Sequence, residues 1–260
     1  MQPPEVPLDQ PLLIGLDRDG TLVPYADRPE EAVMPPFVSW LLRQLAVLPD
    51  VYVALISARG TNHLRRDVGG ASQVILAGNY GLEVRYPGAA ASVHPMALRA
   101  VPELQTIKSK LQELVSEYPK LSLEDHDYSL NLSYFNVPDQ LRENIHNKVR
   151  TITFDPNTVT MRAQATNYEY FPNVKWDKSM ALSKIETALS LKPSLYFPIF
   201  IGDTAADEPA LAWTNVRGGL SILVAKGNLT SNARLVLESP EEAASFLDDL
   251  RQKRSVSLKR

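Results

Sequence analysis

Apolar residues fall into two rhythms along this chain: short unbroken runs near both ends, and strict alternation or long helical periods in the middle. The runs LLIGL (residues 12–16) and VYVALIS (51–57) carry no charge. Such runs predict strands covered on both faces, as in a parallel sheet. Between them PPFVSWLLRQLAVL (35–48) has helical spacing, with Pro at its start where a missing N–H costs little. GTNHLRRDVGG predicts a short helix closed by glycines. QVILAGNYGLEVRY (73–86) predicts a third strand, a glycine-bounded turn and a fourth strand. Strands alternating with helices in this way predict an α/β fold with a parallel sheet.

From about residue 96 the pattern becomes helix, strands, helix, strands. LRAVPELQTIKSKLQELVSEY (98–118) is a long amphipathic helix, and LSLEDHDYSLNLSYFNV alternates like a half-exposed hairpin. PDQLRENIHNKVRTI predicts a second helix, and TVTMRAQATNYEYF closes with strand-like alternation. This α+β stretch predicts a small unit, residues 96–172, inserted between two segments of the core, 1–95 and 173–260. The first rhythm then returns. DKSMALSKIETALSL (177–191) is a helix with Asp177 as its N-cap. YFPIFIGD (196–203) is a strand with Pro198 among its first residues. LSILVA (220–225) is another strand, and SPEEAASFLDDLRQ (239–252) is a helix with Glu in its first turn.

Composition narrows the function classes. The 260 residues are 44% hydrophobic and 22% charged, with a formal charge of −3. That balance suits a globular chain and argues against broad nucleic-acid or anionic-membrane binding. No cysteine is present, which removes thiolate catalysis and Cys-ligated zinc. No window of 18 apolar residues predicts a membrane span, and the start lacks the basic and apolar regions of a secretory signal. A cytoplasmic monomer or weak oligomer is the expectation.

Open α/β sheets place ligands at the carboxyl ends of their strands, and the notable polar residues fall at such ends. Asp17 and Asp19 follow the first strand in DRDGTL, and Ser57 follows the second. Asp203 and Asp207 follow a late strand in IGDTAADE, and Lys178 opens a helix in the same half. Two carboxylates two residues apart repel one another unless a cation or a reaction uses them. Phosphoryl transfer through an aspartyl-phosphate uses both. Asp17 would be the nucleophile and Asp19 the general acid and base. Asp17, Asp19, Asp203 and Asp207 would form a Mg²⁺ site, since that hard cation takes a few carboxylate oxygens together with phosphate. Ser57 and Lys178 would hold the phosphate oxygens. Gly20 and Thr21 suit a tight turn with backbone donors around the anion.

In this order the four motifs resemble those of the haloacid dehalogenase superfamily: DRDGTL, LIS, the DK of KWDKSMAL, and IGDTAADE. Within it, LAGNYGLE, YEYFPNVKWDKSMAL and IGDTAADEPAL resemble segments of the trehalose-6-phosphate phosphatase family. The resemblance covers about residues 12–250. It implies a Rossmann-like, HAD-type core with an inserted α+β cap, and hydrolysis of trehalose 6-phosphate to trehalose and phosphate. The chain departs from the family pattern at Ala58, Tyr80, Ser179 and Thr204, and in the cap at His126, Ser133 and Phe135. None of these removes a group that the phosphoryl chemistry needs.

LSLEDHDYSLNLSY resembles the cap segment in which charged residues meet sugar hydroxyls. Glu124, His126 and Glu169 are therefore candidates for reading a sugar, since carboxylates accept from vicinal hydroxyls. Arg59 could bind phosphate or a cap carboxylate, and Asn79 and Glu83 lie on a loop that could face the cap. His63 and His94 lack metal-ligand spacing. Another glycosyl phosphate, such as a glucosylglycerol or sucrose phosphate, fits the same chemistry. A non-catalytic regulator binding a sugar phosphate would be marked by loss of Asp17, Asp19 or Lys178, and all three are present.

Overall fold

A computed structural model describes residues 3–26, 28, 31–70, 72–227 and 230–257. By its internal contacts the chain divides into two units: Met1–Ser92 with Trp176–Arg260, and Val93–Lys175.

The first unit is a sheet covered by helices on both faces. β1 (Leu12–Leu16), β2 (Val51–Ile56), β3 (Ile75–Gly78), β10 (Phe197–Gly202), β11 (Leu220–Val224) and β12 (Leu235–Leu237) run parallel. β4 (Glu83–Arg85) runs antiparallel to β3. With β5 (Ala91–Val93) at the edge, the order is β12-β11-β10-β1-β2-β3-β4-β5.

Alternation along β1 sorts its side chains between two cores. Leu12, Ile14 and Leu16 join Leu41, Leu42 and Leu45 of α1 (Pro36–Ala46), Leu64 and Val68 of α2 (Thr61–Val68), and Leu247 of α7 (Pro240–Ser257). Leu13 joins Leu182 and Ile185 of α5 (Lys178–Ala188) and Leu211 of α6 (Glu208–Val216) on the other face. Gly15 points to that second face, where a Cβ would come within 2.8 Å of Leu182 and 2.9 Å of Phe200. Its small size lets α5 lie close to the sheet.

Pro198 sits inside β10, a central strand, against the usual confinement of proline to edges. The ladder from β10 to β11 begins only at Ile199 opposite Leu220. Beside Pro198 stands Gly219, where a Cβ would lie 2.1 Å from the Pro198 carbonyl oxygen. The proline is accepted because its neighbour has not yet joined the sheet and carries no side chain. The hydrophobic pattern did not announce β5 or β12, each three residues long.

The second unit pairs a four-stranded antiparallel sheet with two helices. Its strands are β6 (Ser122–Asp125), β7 (Leu130–Ser133), β8 (Val159–Ala163) and β9 (Asn167–Pro172), in the order β6-β7-β9-β8. α3 (Pro95–Glu117) and α4 (Asp139–Arg150) contribute Leu104, Ile107, Leu111, Ile145 and Val149 to a core with Leu130, Leu132, Tyr168 and Tyr170. α3 starts earlier than its amphipathic pattern suggests and continues through Pro102. His94 caps it, with Nδ1 accepting from the Met96 N–H at 3.2 Å. No helix among the described residues is long and apolar enough to cross a membrane.

Candidate active site

The site is built from the turns that leave the carboxyl ends of the parallel strands. Asp17 follows β1, and its N–H donates to the Ile201 carbonyl of β10 at 2.9 Å. The chain then reverses tightly, the Leu22 and Val23 N–H groups both donating to the Arg18 carbonyl. Gly20 makes this turn at φ +81°, where a Cβ would lie 2.0 Å from Asp203 Oδ2. Only glycine fits so close an approach.

Three carboxylates, those of Asp17, Asp203 and Asp207, have oxygens within 4.8 Å of one another. Lys178 lies among them, its Nζ 2.6 Å from Asp17 Oδ1 and 2.6 Å from Asp207 Oδ1. Its place follows from local capping. Asp177 Oδ1 accepts from the Ser179 and Met180 N–H groups, which fixes the first turn of α5 and turns Lys178 inward. Asp207 is held as firmly. Its Oδ2 accepts from the Asp203 and Thr204 N–H groups and from the Thr204 hydroxyl. Gly202 permits this, since a Cβ there would come 2.4 Å from Asp207 Cγ. Asp203 accepts from Tyr25 Oη at 2.7 Å and from Thr21 Oγ1 at 3.3 Å.

Burial pushes the Asp17 carboxyl well up; Lys178 pulls it back while Asp207 and Asp203 push it further. Burial also raises Asp203, and Tyr25 opposes the rise. Burial alone would lower Lys178, but Asp17 and Asp207 outweigh it and hold the ammonium charged. One cation facing three carboxylates leaves negative charge in a dry place, which a second cation would relieve. The donor set is oxygen only, with no thiolate or imidazole, and so suits a hard divalent ion. The residues present fit Mg²⁺.

Asp19 stands outside this group. Arg59 Nε donates to its Oδ2 at 2.8 Å and Arg59 Nη2 to its Oδ1 at 3.0 Å, while Arg18 Nη1 donates to Oδ1 at 2.6 Å. Burial would raise this carboxyl, but the two guanidiniums outweigh it and hold it below the usual range. With both oxygens engaged by arginines, the Asp19 side chain lies outside the cluster of Asp17, Asp203 and Asp207. Ser57 follows β2, beside β1, and its Oγ accepts from the Arg59 N–H at 3.1 Å.

Asn79 is completely buried, with its N–H on the Arg59 carbonyl at 3.0 Å. Asn79 and Tyr80 both adopt positive φ, and Trp176 Nε1 donates to the Tyr80 carbonyl at 3.1 Å. Glu83 is turned inward: it accepts from the Thr61 N–H and hydroxyl and caps the start of α2. In the second unit Glu124, Asn131 and Glu169 stand side by side across β6, β7 and β9, continuing to Arg162 of β8. Glu124 accepts from Asn131 at 3.0 Å. His126 lies in the β6–β7 turn, its N–H on the Ser129 carbonyl.

Residue spacing did not single out Tyr25, Arg18 or Asp67. Arg18 carried a signal, a cation between two aspartates. The other two had none, because each reaches its partner across the fold.

The sheet order, the helices on both faces and the carboxyl-end site define a haloacid dehalogenase-type core. A family model described as trehalose-phosphatase matches residues 15–241, and the chain belongs to that family of phosphoric monoester hydrolases acting on a sugar phosphate. Probable trehalose-phosphate phosphatase H of Arabidopsis thaliana is 26% identical over 253 residues, covering 92% of this chain and 71% of its own length. Trehalose 6-phosphate phosphatase RA3 of Zea mays is 26% identical over 257 residues, covering 94% and 70%. For some relatives the share of their own length falls to 65%, so the chain spans about two thirds of the plant proteins it matches. The C-terminal domain of a C. albicans trehalose-6-phosphate phosphatase superposes with a TM-score of 0.77 at 18% identity, covering 94% of this chain and 93% of that one. At that identity the likeness speaks for the fold.

Proposed function

We propose that this protein hydrolyses trehalose 6-phosphate to trehalose and phosphate through an aspartyl-phosphate on Asp17. The observation that carries the reading is the meeting of Asp17, Lys178, Asp203 and Asp207 at the carboxyl edge of the sheet. Asp17 and Asp203 would hold Mg²⁺, with Asp207 keeping Lys178 and the Asp203–Thr204 turn after β10 in place. The ion, when bound, supplies positive charge that offsets repulsion between the nucleophile and the phosphate.

An Asp17 oxygen attacks phosphorus, and the bond from phosphorus to the sugar oxygen breaks. Asp19 gives that oxygen its proton as the alcohol leaves. Arg59, drawn toward the phosphate, relaxes its hold on Asp19 and lets the carboxyl carry that proton. Asp19 then takes a proton from water, whose oxygen attacks phosphorus and frees Asp17 and inorganic phosphate. Lys178 and Ser57 steady the phosphate oxygens throughout. The row Glu124–Asn131–Glu169 offers acceptors and donors suited to vicinal hydroxyls.

The test is phosphate release across trehalose 6-phosphate, sucrose 6-phosphate, glucosylglycerol phosphate and glucose 6-phosphate. Preference for trehalose 6-phosphate, loss of turnover on chelation, restoration by Mg²⁺ and loss in Asp17→Asn are expected. A preference for the monosaccharide overturns the substrate, and full turnover by Asp17→Asn overturns the nucleophile.

A further inference from the structure

Arg18, the residue between the two aspartates, is 1% exposed. A guanidinium so deep must have a structural partner for each of its donors. Nε donates to Asp67 Oδ2 at 2.7 Å and Nη2 to Asp67 Oδ1 at 3.1 Å, a two-bond fork. Nη2 also donates to the Ala32 carbonyl at 2.7 Å, and Nη1 donates to Asp19 Oδ1 at 2.6 Å. One planar group therefore ties the Asp19 carboxylate to the last turn of α2 and to the segment before α1. The fork fixes the plane of the guanidinium, and that plane fixes where Nη1 presents its hydrogen. Arg59, the other guanidinium on Asp19, springs from the turn after β2, in which Ser57 Oγ accepts from the Arg59 N–H. The two hold Asp19 from different elements.

We infer that Arg18 and Asp67 form a positioning pair that holds Asp19 in its orientation for proton transfer to the leaving sugar oxygen. This rests on the reaction proposed above. Neither residue touches substrate; Arg18 acts through Asp19, and Asp67 acts through Arg18. Orientation of a catalytic group is worth much: a misplacement of about 1 Å costs about 100-fold in rate.

The role has a chemical signature. A sugar alkoxide is a poor leaving group and needs the Asp19 proton as the ester bond breaks. p-Nitrophenolate leaves without one, so kcat/KM for p-nitrophenyl phosphate reports attack by Asp17 with little demand on Asp19. The variant Asp67→Asn keeps the shape of the side chain and removes its charge. It is expected to lower kcat/KM for trehalose 6-phosphate by about 10- to 100-fold and that for p-nitrophenyl phosphate by less than about 3-fold. Arg18→Lys, which lacks the fork, is expected to show the same selective loss. Arg18→Met combined with Asp67→Asn is expected to cost no more than Arg18→Met alone, as for residues acting in series.

Equal losses on both substrates overturn the inference, and so does unchanged activity on the sugar phosphate. Additive losses in the double variant overturn the series Asp67–Arg18–Asp19. The reading of the site itself fails separately, in the parent protein, if no sugar phosphate in the panel is hydrolysed.

Discussion

His63 lies on α2 one turn before Asp67, its Nε2 3.9 Å from Asp67 Oδ2, and Arg66 approaches its Nδ1 at 3.3 Å. Burial, then the guanidiniums of Arg59 and Arg18, push the imidazole down to about 4 from the ordinary 6.5, with Asp67 pulling the other way. The folded state thus binds fewer protons than the unfolded chain between those two values. Its contribution to stability is full above pH 6.5 and drains away as pH falls toward 4. Thermal melts across that range are expected to fall more steeply for the parent than for His63→Gln; an equal slope would remove His63 from the acid response. The half-buried imidazole sits among the charges of Arg66, Asp67, Arg59 and Arg18, and the absence of metal-ligand spacing around it was visible in the sequence. Asp17, Asp19, Lys178 and Asp203 were visible too, because each stands at a strand or helix end whose pattern is strong. Tyr25 and Asp67 were not, since a hydrogen bond between residues far apart in sequence leaves no periodic trace.

Among the elements, α5 shows how a short capping motif places a reactive group. Asp177 satisfies two N–H groups that the first turn leaves without helical partners. Lys178, next in sequence, is thereby sent between Asp17 and Asp207. Asp177→Ala is expected to lose about 1 kcal/mol in denaturant melts with an unchanged slope. A loss of a few tenths or less would mean that packing alone fixes the turn. The helices and the longer strands were legible, as their apolar spacing is dictated by the two-sided burial of a parallel sheet. The three-residue β5 and β12 were not, being too short to show a period. Glu83 has a role that its position in the sequence did not show. Expected on a loop that could face the cap, it starts β4 and satisfies the first turn of α2 through the Thr61 N–H and hydroxyl.

Across the whole molecule, three cores form without sharing residues, two on the faces of the first unit's sheet and one in the second unit. Leu111 is fully buried in the core of the second unit. Leu111→Ala is expected to cost about 2–5 kcal/mol of that unit's stability. Hydrogen exchange should then quicken in Val93–Lys175, while β1 and β10 keep their protection. Loss of protection in those strands as well would show one cooperative unit. The centre of the first sheet has a further consequence. β1 lies between β2 and β10, with Leu12 opposite Phe197. On the ribosome β1 and β2 are made before β10, so one edge of β1 stays bare until Phe197–Gly202 has been made. During that wait Asp17 lacks Lys178, and its carboxylate remains wet and fully ionised beside an open strand. Charge at the tip of an unpaired edge discourages two nascent chains from zipping together, so the carboxylate proposed to attack phosphorus is also expected to lessen association of growing chains before there is any pocket for it to serve.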